Sequence, residues 1–130
     1  MTGHRQPTPG PADGTQPAPA ILVAAVASLT DADTAIAAGA DLIDGGALSD
    51  QTVAAIRARH PGARLWAGSP AVADVKGDSP AAVVATAAVL AWLGTPAIRT
   101  RHVLPVRRAI DMTCSIAGTR LPALTTRGLA

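Results

Sequence analysis

Hydrophobic and polar positions along this chain fall into blocks whose lengths suit short buried strands and crossover helices. Apolar runs bounded by turn residues predict four strands, at residues 21–26, 40–44, 63–67 and 97–101. Blocks that begin at Ser, Thr or Pro and end at Gly or Pro predict four helices, at residues 31–38, 50–59, 80–93 and 106–116. Thr30 is the predicted N-cap of the first helix, and residues 71–76 are interpreted as one helical turn or an irregular segment.

This alternation of strands and helices predicts an α/β fold with a parallel sheet and right-handed crossovers. Four strands are too few for a closed eight-stranded barrel, so we expect a truncated (β/α)8-barrel-like domain of about four strands. Three arrangements stay open: half a barrel, a small open sheet, or a piece that dimerises to cover its sheet edges. The third helix is nearly all apolar, which predicts burial on more than one side.

Composition divides the chain into three parts. Residues 1–20 hold five of the eleven prolines and predict a disordered leader, residues 21–118 form the α/β domain, and residues 119–130 are expected to be an extended tail. The leader lacks the apolar centre of a secretory signal, and no later apolar run reaches the roughly 18 residues that span a bilayer. We therefore expect a soluble, cytoplasmic protein that does not bind membranes.

Side-chain size and charge narrow the choice of partners. The domain is rich in Ala and Val and has only Trp66 and Trp92 as aromatic residues, so its core should be marginal alone and gain from a partner subunit. Cys114 is single and is predicted to be a buried, inert thiol. Residues 1–78 hold eight acids against five bases, whereas residues 79–130 hold one acid against six arginines. The basic half suits an anionic ligand or reflects a GC-rich genome; nucleic acid is not expected, because no aromatic platform accompanies the charge.

Two segments are candidates for a binding site. Gly39-Ala-Asp-Leu-Ile-Asp-Gly-Gly46 joins a helix end to a strand that stops at Asp44, and ligands of α/β proteins collect at the carboxyl ends of parallel strands. In Ile98-Arg-Thr-Arg-His-Val103, Arg99 and Arg101 should point to the same side of the last strand and could clamp a phosphate or diphosphate. Solvated arginines at a strand edge and a basic interface patch are the alternatives. No cluster with metal-ligand spacing is visible.

The same two segments resemble the dihydropteroate synthases, pterin-binding (β/α)8 barrels of folate biosynthesis. Residues 38–46 are similar to the family's second strand, "GADIIDVGGES", and residues 80–116 to its last helix–strand–helix unit, with its "R-x-H-D-V" motif. In that alignment Arg99 matches the arginine that holds the diphosphate of the activated pterin. Arg101 stands where the family has His, and His102 where it has Asp. The chain is similar to the family's first three strands joined to its last.

The resemblance implies a dihydropteroate synthase-like protein that binds a pterin diphosphate through Arg99, Arg101 and Asp44 at the carboxyl ends of the strands. The family's transferase reaction displaces the diphosphate with the amine of p-aminobenzoate, and the resemblance implies Mg²⁺ as cofactor, although no ligand residue is identified. Because the Asn of the family's first strand and the Asp of its third are absent, intrinsic catalysis is doubtful. The first alternative is a non-catalytic partner subunit or degenerate paralogue, which pairs through its sheet edge either with itself or with a full-length synthase. The second is a synthase of another phosphate-containing metabolite, and the third is a decayed gene fragment.

Overall fold

The structure, a computed structural model, describes residues 19–69 and 72–118, so most of the predicted leader and the whole predicted tail lie outside the described residues. Strands and helices alternate as β1 (Ile21–Ala25), α1 (Leu29–Ala37), β2 (Leu42–Asp44), α2 (Asp50–Arg59), β3 (Val72–Asp74), α3 (Pro80–Trp92), β4 (Ala97–Thr100) and α4 (Val103–Ile116). The four strands form one parallel sheet in the order β2-β1-β4-β3. The predicted α/β fold with a parallel sheet of about four strands is confirmed.

The prediction of the third strand is wrong. The segment at residues 63–67 contributes only an isolated parallel bridge, in which Leu65 pairs with Ile43 on the outer side of β2. The actual third strand, β3, comes from a segment interpreted as a helical turn or irregular, and it pairs with β4. With only three residues, β3 is too short to show the alternation by which a strand is recognised, and its pairing with β4 is a tertiary effect.

The strand order places the last strand beside the first. β1 pairs with β2 on one side and with β4 on the other, and β3 lies beyond β4. The crossovers from β1 to β2 and from β3 to β4 therefore step in the same direction across the sheet. Right-handed crossovers in one direction place their helices on one face. A (β/α)8 barrel has the same order where its last two strands meet its first two.

A single core lies between that face of the sheet and the helices. Leu22 and Ile98 contribute from the two central strands, and every helix adds buried residues, among them Ala35, Ile56, Val83 and Ile110. The largest fully buried side chains in the described residues are Leu, Ile and Val. The core is therefore built from aliphatic side chains, as the Ala- and Val-rich composition predicts. Cys114 is buried in it.

The helix ends differ from the predictions in two places. Ser28, not Thr30, caps α1, because its Oγ accepts a hydrogen bond from the Asp31 amide at 3.1 Å. α4 begins at Val103, three residues before the predicted start, so that Pro105 lies inside the first turn, where its missing N–H has no intrahelical partner to lose. Ser49 and Ser79 cap α2 and α3 as serine N-caps usually do.

The outer side of α3 is exposed, which contradicts the prediction of burial on more than one side. α3 buries only Val83 and Ala87, while Val89, Trp92 and Leu93 are 58%, 45% and 73% exposed. Within residues 19–69 and 72–118 one layer of helices covers the sheet, so the side of α3 that faces away from the sheet has no further layer of described residues to pack against. Among the described residues, no helix combines the length and apolar character needed to cross a bilayer.

Candidate functional site

Arg99 lies at the centre of an ion-pair network on the side of the sheet opposite the core. Its neighbour Ile98 packs in the core, so Arg99 points to the other face. Its Nε lies 3.2 Å from Oδ2 of Asp44 and 3.5 Å from Oδ1 of Asp74. The guanidinium carbon is 5.5 Å from the centre of the Trp66 ring, within the range of a cation–π contact. Arg99 therefore links β4 to both β2 and β3, and two carboxylates balance its charge.

Asp44 acts as a counter-ion in this network. Its side chain is 15% exposed, and its Oδ1 accepts a hydrogen bond from the Gly46 amide at 3.0 Å. Asp44 does not line either of the clefts that open at the carboxyl ends of β1, β3 and β4. Asp44 thus contacts Arg99, and its contact with a ligand stays a prediction.

A cleft of about 280 Å³, which we call the cation cleft, opens at the carboxyl ends of β3 and β4. Arg99, in β4, and Arg101, in the loop directly after it, both line this cleft. Lys76, in the loop after β3, adds a third cation, and Asp74 is the acid in the lining. Oxyanions bind well where several cations converge and water is partly excluded.

The three cations of the cleft differ in their partners. Arg99 is engaged by Asp44 and Asp74, whereas Lys76 and Arg101 have no ion-pair or hydrogen-bond partner within residues 19–69 and 72–118. Both are exposed. Lys76 and Arg101 are consequently the groups that can bind an anion without first breaking an internal ion pair.

Two loops that border the cation cleft are tied together by His102. Its Nε2 donates to the carbonyl of Gly77, with 2.9 Å between the atoms, and its backbone N–H donates to Oγ1 of Thr100 at 3.0 Å. Gly77 has a φ of +146°, a conformation that favours glycine. Sequence reasoning missed Lys76 and Gly77, because it did not recognise β3 and so had no reason to place the following loop at the site.

The residues near the cleft do not fit the Mg²⁺ that the family resemblance implies. In the described part of the chain, no group of three or more His, Cys, Asp or Glu side chains could hold a metal ion. Asp74 is the carboxylate that lines the cleft, and both Asp74 and Asp44 contact Arg99. The guanidinium therefore occupies the position between them that a cation would need.

No protein-family model matches the chain, and neither a curated protein nor a solved structure was found to match it. The basis for a function is therefore the cleft itself. It combines two cations that have no partner within the described residues, a loop held in place by His102, and a position at the carboxyl ends of β3 and β4. Chemically, this arrangement can bind and orient a phosphoryl group.

Proposed function

We propose that this protein binds a phosphorylated small molecule in the cation cleft. The diphosphate of a pterin is the ligand that the resemblance to dihydropteroate synthases suggests. The observation that supports this function most directly is the convergence on one cleft of Lys76 and Arg101, two cations without a partner in the part of the chain that the structure describes. The proposal is for binding; turnover is not included in it.

The three cations have different roles in this proposal. Arg101 presents a planar fork of N–H donors that matches two phosphate oxygens, and Lys76 adds a mobile point charge. Arg99 is held by its two carboxylates, which offset its charge, so its role is to fix the shape of the cleft. This division differs from the family pattern, in which the residue that Arg99 matches holds the diphosphate.

The topology supports the proposal independently of the charges. In many (β/α)8 barrels, the loops after the last two strands form a phosphate site. Here the loops after β3 and β4, the last two strands among the described residues, border the cation cleft. The strand order, with the last strand beside the first, also agrees with descent from such a barrel.

Calorimetric titration with hydroxymethylpterin diphosphate tests this function. We expect heat of binding from the wild-type protein at submillimolar ligand, and an affinity roughly 10- to 100-fold weaker for Arg101→Ala and for Lys76→Ala, since a charged hydrogen bond contributes about 1.5–3 kcal/mol. Arg108→Ala is the matched control, because Arg108 is exposed on α4 and does not line the cleft. Absence of heat at millimolar ligand, or equal weakening by all three substitutions, would contradict the proposal.

A second candidate function, a non-catalytic subunit that pairs with another copy of itself, is favoured by one specific observation. The last turns of α3 and α4 expose the apolar side chains Val89, Trp92, Leu93, Met112 and Ile116. The sequence predicts pairing through the sheet edge, whereas most of the large exposed apolar side chains among the described residues lie on or at the ends of the helices, with Ile21 of β1 as the exception. Burying them in a dimer would add apolar contact area to a domain whose own core is small.

Sedimentation velocity separates this candidate from ligand binding by a monomer. If two copies pair through α3 and α4, the wild-type protein sediments as a dimer, and Leu93→Glu, at the end of α3, shifts it to a monomer. Ala54→Glu is the control, because Ala54 is exposed on α2 and lies outside the apolar group of α3 and α4. A wild-type protein that remains monomeric at high concentration rules out this second function.

A further inference from the structure

A second cleft of about 300 Å³, which we call the helix cleft, lies beside the cation cleft between α1 and α4. The two clefts share Ala25, at the end of β1, and Arg101, which follows β4. One exposed arginine therefore borders both spaces. A ligand whose phosphoryl group is held by Arg101 can extend into the helix cleft.

The helix cleft has small apolar walls and a polar rim. Val26, Ala35 and Val103 line it and are buried. Asp31 and Thr34 also line it and are exposed on α1. Such walls suit a compact apolar body, and a carboxylate at the rim suits an N–H or O–H donor on that body.

Asp31 is held in place while one of its carboxylate oxygens remains available. Its Oδ2 accepts a hydrogen bond from the Ala27 amide at 3.0 Å, and its own amide donates to Oγ of Ser28 at 3.1 Å. Its Oδ1 has no hydrogen-bond partner among the residues that the structure describes. An oriented acceptor of this kind can select a ligand that brings a donor to it.

His102 fixes the position of the two clefts relative to each other. It lines the helix cleft, and its Nε2 donates to the carbonyl of Gly77, which lines the cation cleft. Because Nε2 is the donor, the neutral ring presents Nδ1 as an acceptor. The distance between the phosphate position and the helix cleft is thereby set by the fold, so the length of a suitable ligand is set as well.

We propose that the cation cleft and the helix cleft form one bipartite site for a phosphate or diphosphate ester of a compact body that carries a hydrogen-bond donor. The phosphoryl group binds Lys76 and Arg101, and the body lies between α1 and α4 with its donor toward Asp31. This inference rests on the proposed function and adds the place of the ligand's organic part. That place is the helix side of the sheet, not the face on which Arg99 and Asp44 lie.

The test compares two probes, inorganic diphosphate and hydroxymethylpterin diphosphate, by calorimetry. We expect the wild-type protein to bind the organic diphosphate at least about tenfold more tightly than inorganic diphosphate. Thr34→Phe fills the helix cleft and should remove most of this preference for the organic diphosphate without changing the affinity for inorganic diphosphate. Ala37→Phe is the matched control, because Ala37 is exposed on the same helix and does not line the cleft.

Asp31→Asn provides a second variant that does not depend on filling space. Asn keeps an acceptor for the Ala27 amide and removes the carboxylate charge. The organic diphosphate should therefore bind several-fold more weakly to this variant, whereas the affinity for inorganic diphosphate should stay the same. The bipartite site is overturned if the two probes bind equally well to the wild-type protein. It is also overturned if Thr34→Phe and Asp31→Asn both still bind the organic diphosphate as much more tightly than inorganic diphosphate as the wild type does. If neither probe binds at all, the proposed function itself fails, and the bipartite site falls with it.

Discussion

Arginine has opposite roles at the two ends of the sheet. At the amino end, Arg107 of α4 lies 3.2 Å from Oδ2 of Asp41 and 3.2 Å from Oδ1 of Asp111, and it also donates to the carbonyl of Gly39. At the carboxyl end, Arg101 has no such partner in the described residues. Arg107, whose terminal nitrogens are paired within the protein while its buried Nε has no partner among the described residues, stabilises the fold, whereas an exposed cation in a cleft can bind a ligand.

Contacts within the protein also account for the conformation of the segment from Gly39 to Gly46, which begins at the amino end of the sheet. Asp41 accepts hydrogen bonds at Oδ2 from both the Leu22 amide, at 2.8 Å, and Arg107. Gly39 has a φ of +95°, and a Cβ there would lie 3.0 Å from Cδ of Arg107. Asp44, the other acid of the segment, pairs with Arg99. A segment predicted to approach a ligand is thus held in place by contacts within the protein.

The largest effect on stability is expected from Arg107→Met. The substitution keeps apolar bulk but removes contacts with two carboxylates and a carbonyl around a side chain that is only 17% exposed. We expect the free energy of unfolding to fall by about 1–3 kcal/mol, measured by urea denaturation. Arg108→Met, at the exposed neighbouring position, should change it by less than about 0.5 kcal/mol. Equal losses for the two variants would remove the distinction between the two ends of the sheet.

Local signals in the sequence predicted much of the fold but less of the site. Turn residues and serine caps located three of the strands and all four helices to within a few residues, because these elements carry their own boundaries. β3 was not recognised, and with it the loop that carries Lys76, because a three-residue strand depends on its neighbour β4. The pairing of Arg99 with Asp44 could not be predicted either, since it joins strands separated by β1, and alternation states only which face a side chain occupies.

The smallest effect on stability is expected from an exposed ion pair between α1 and α2. Asp33 contacts Nε2 of His60 through Oδ1, at 2.6 Å, and Nη1 of Arg59 through Oδ2. The hydrogen bond with His60 is the largest influence lowering the pKa of Asp33 below its usual 3.8, and desolvation opposes it. Arg59 is 55% exposed, against 17% for Arg107, so solvent screens its pair more strongly.

The direction of the pH dependence follows from that lowered pKa. A carboxyl whose pKa is lower in the folded than in the unfolded chain stabilises the fold above the unfolded value, and this contribution is lost as the pH falls through the folded value. Asp33→Asn should therefore lower the urea midpoint slightly at about pH 5, and this difference should shrink as the pH falls through the lowered pKa of Asp33, because the carboxyl then loses its charge. Asp78→Asn is the control, because Asp78 is exposed and has no ion pair within the described residues. A difference between wild type and Asp33→Asn that persisted as the pH fell would mean that the shape of the side chain, rather than its charge, connects the two helices.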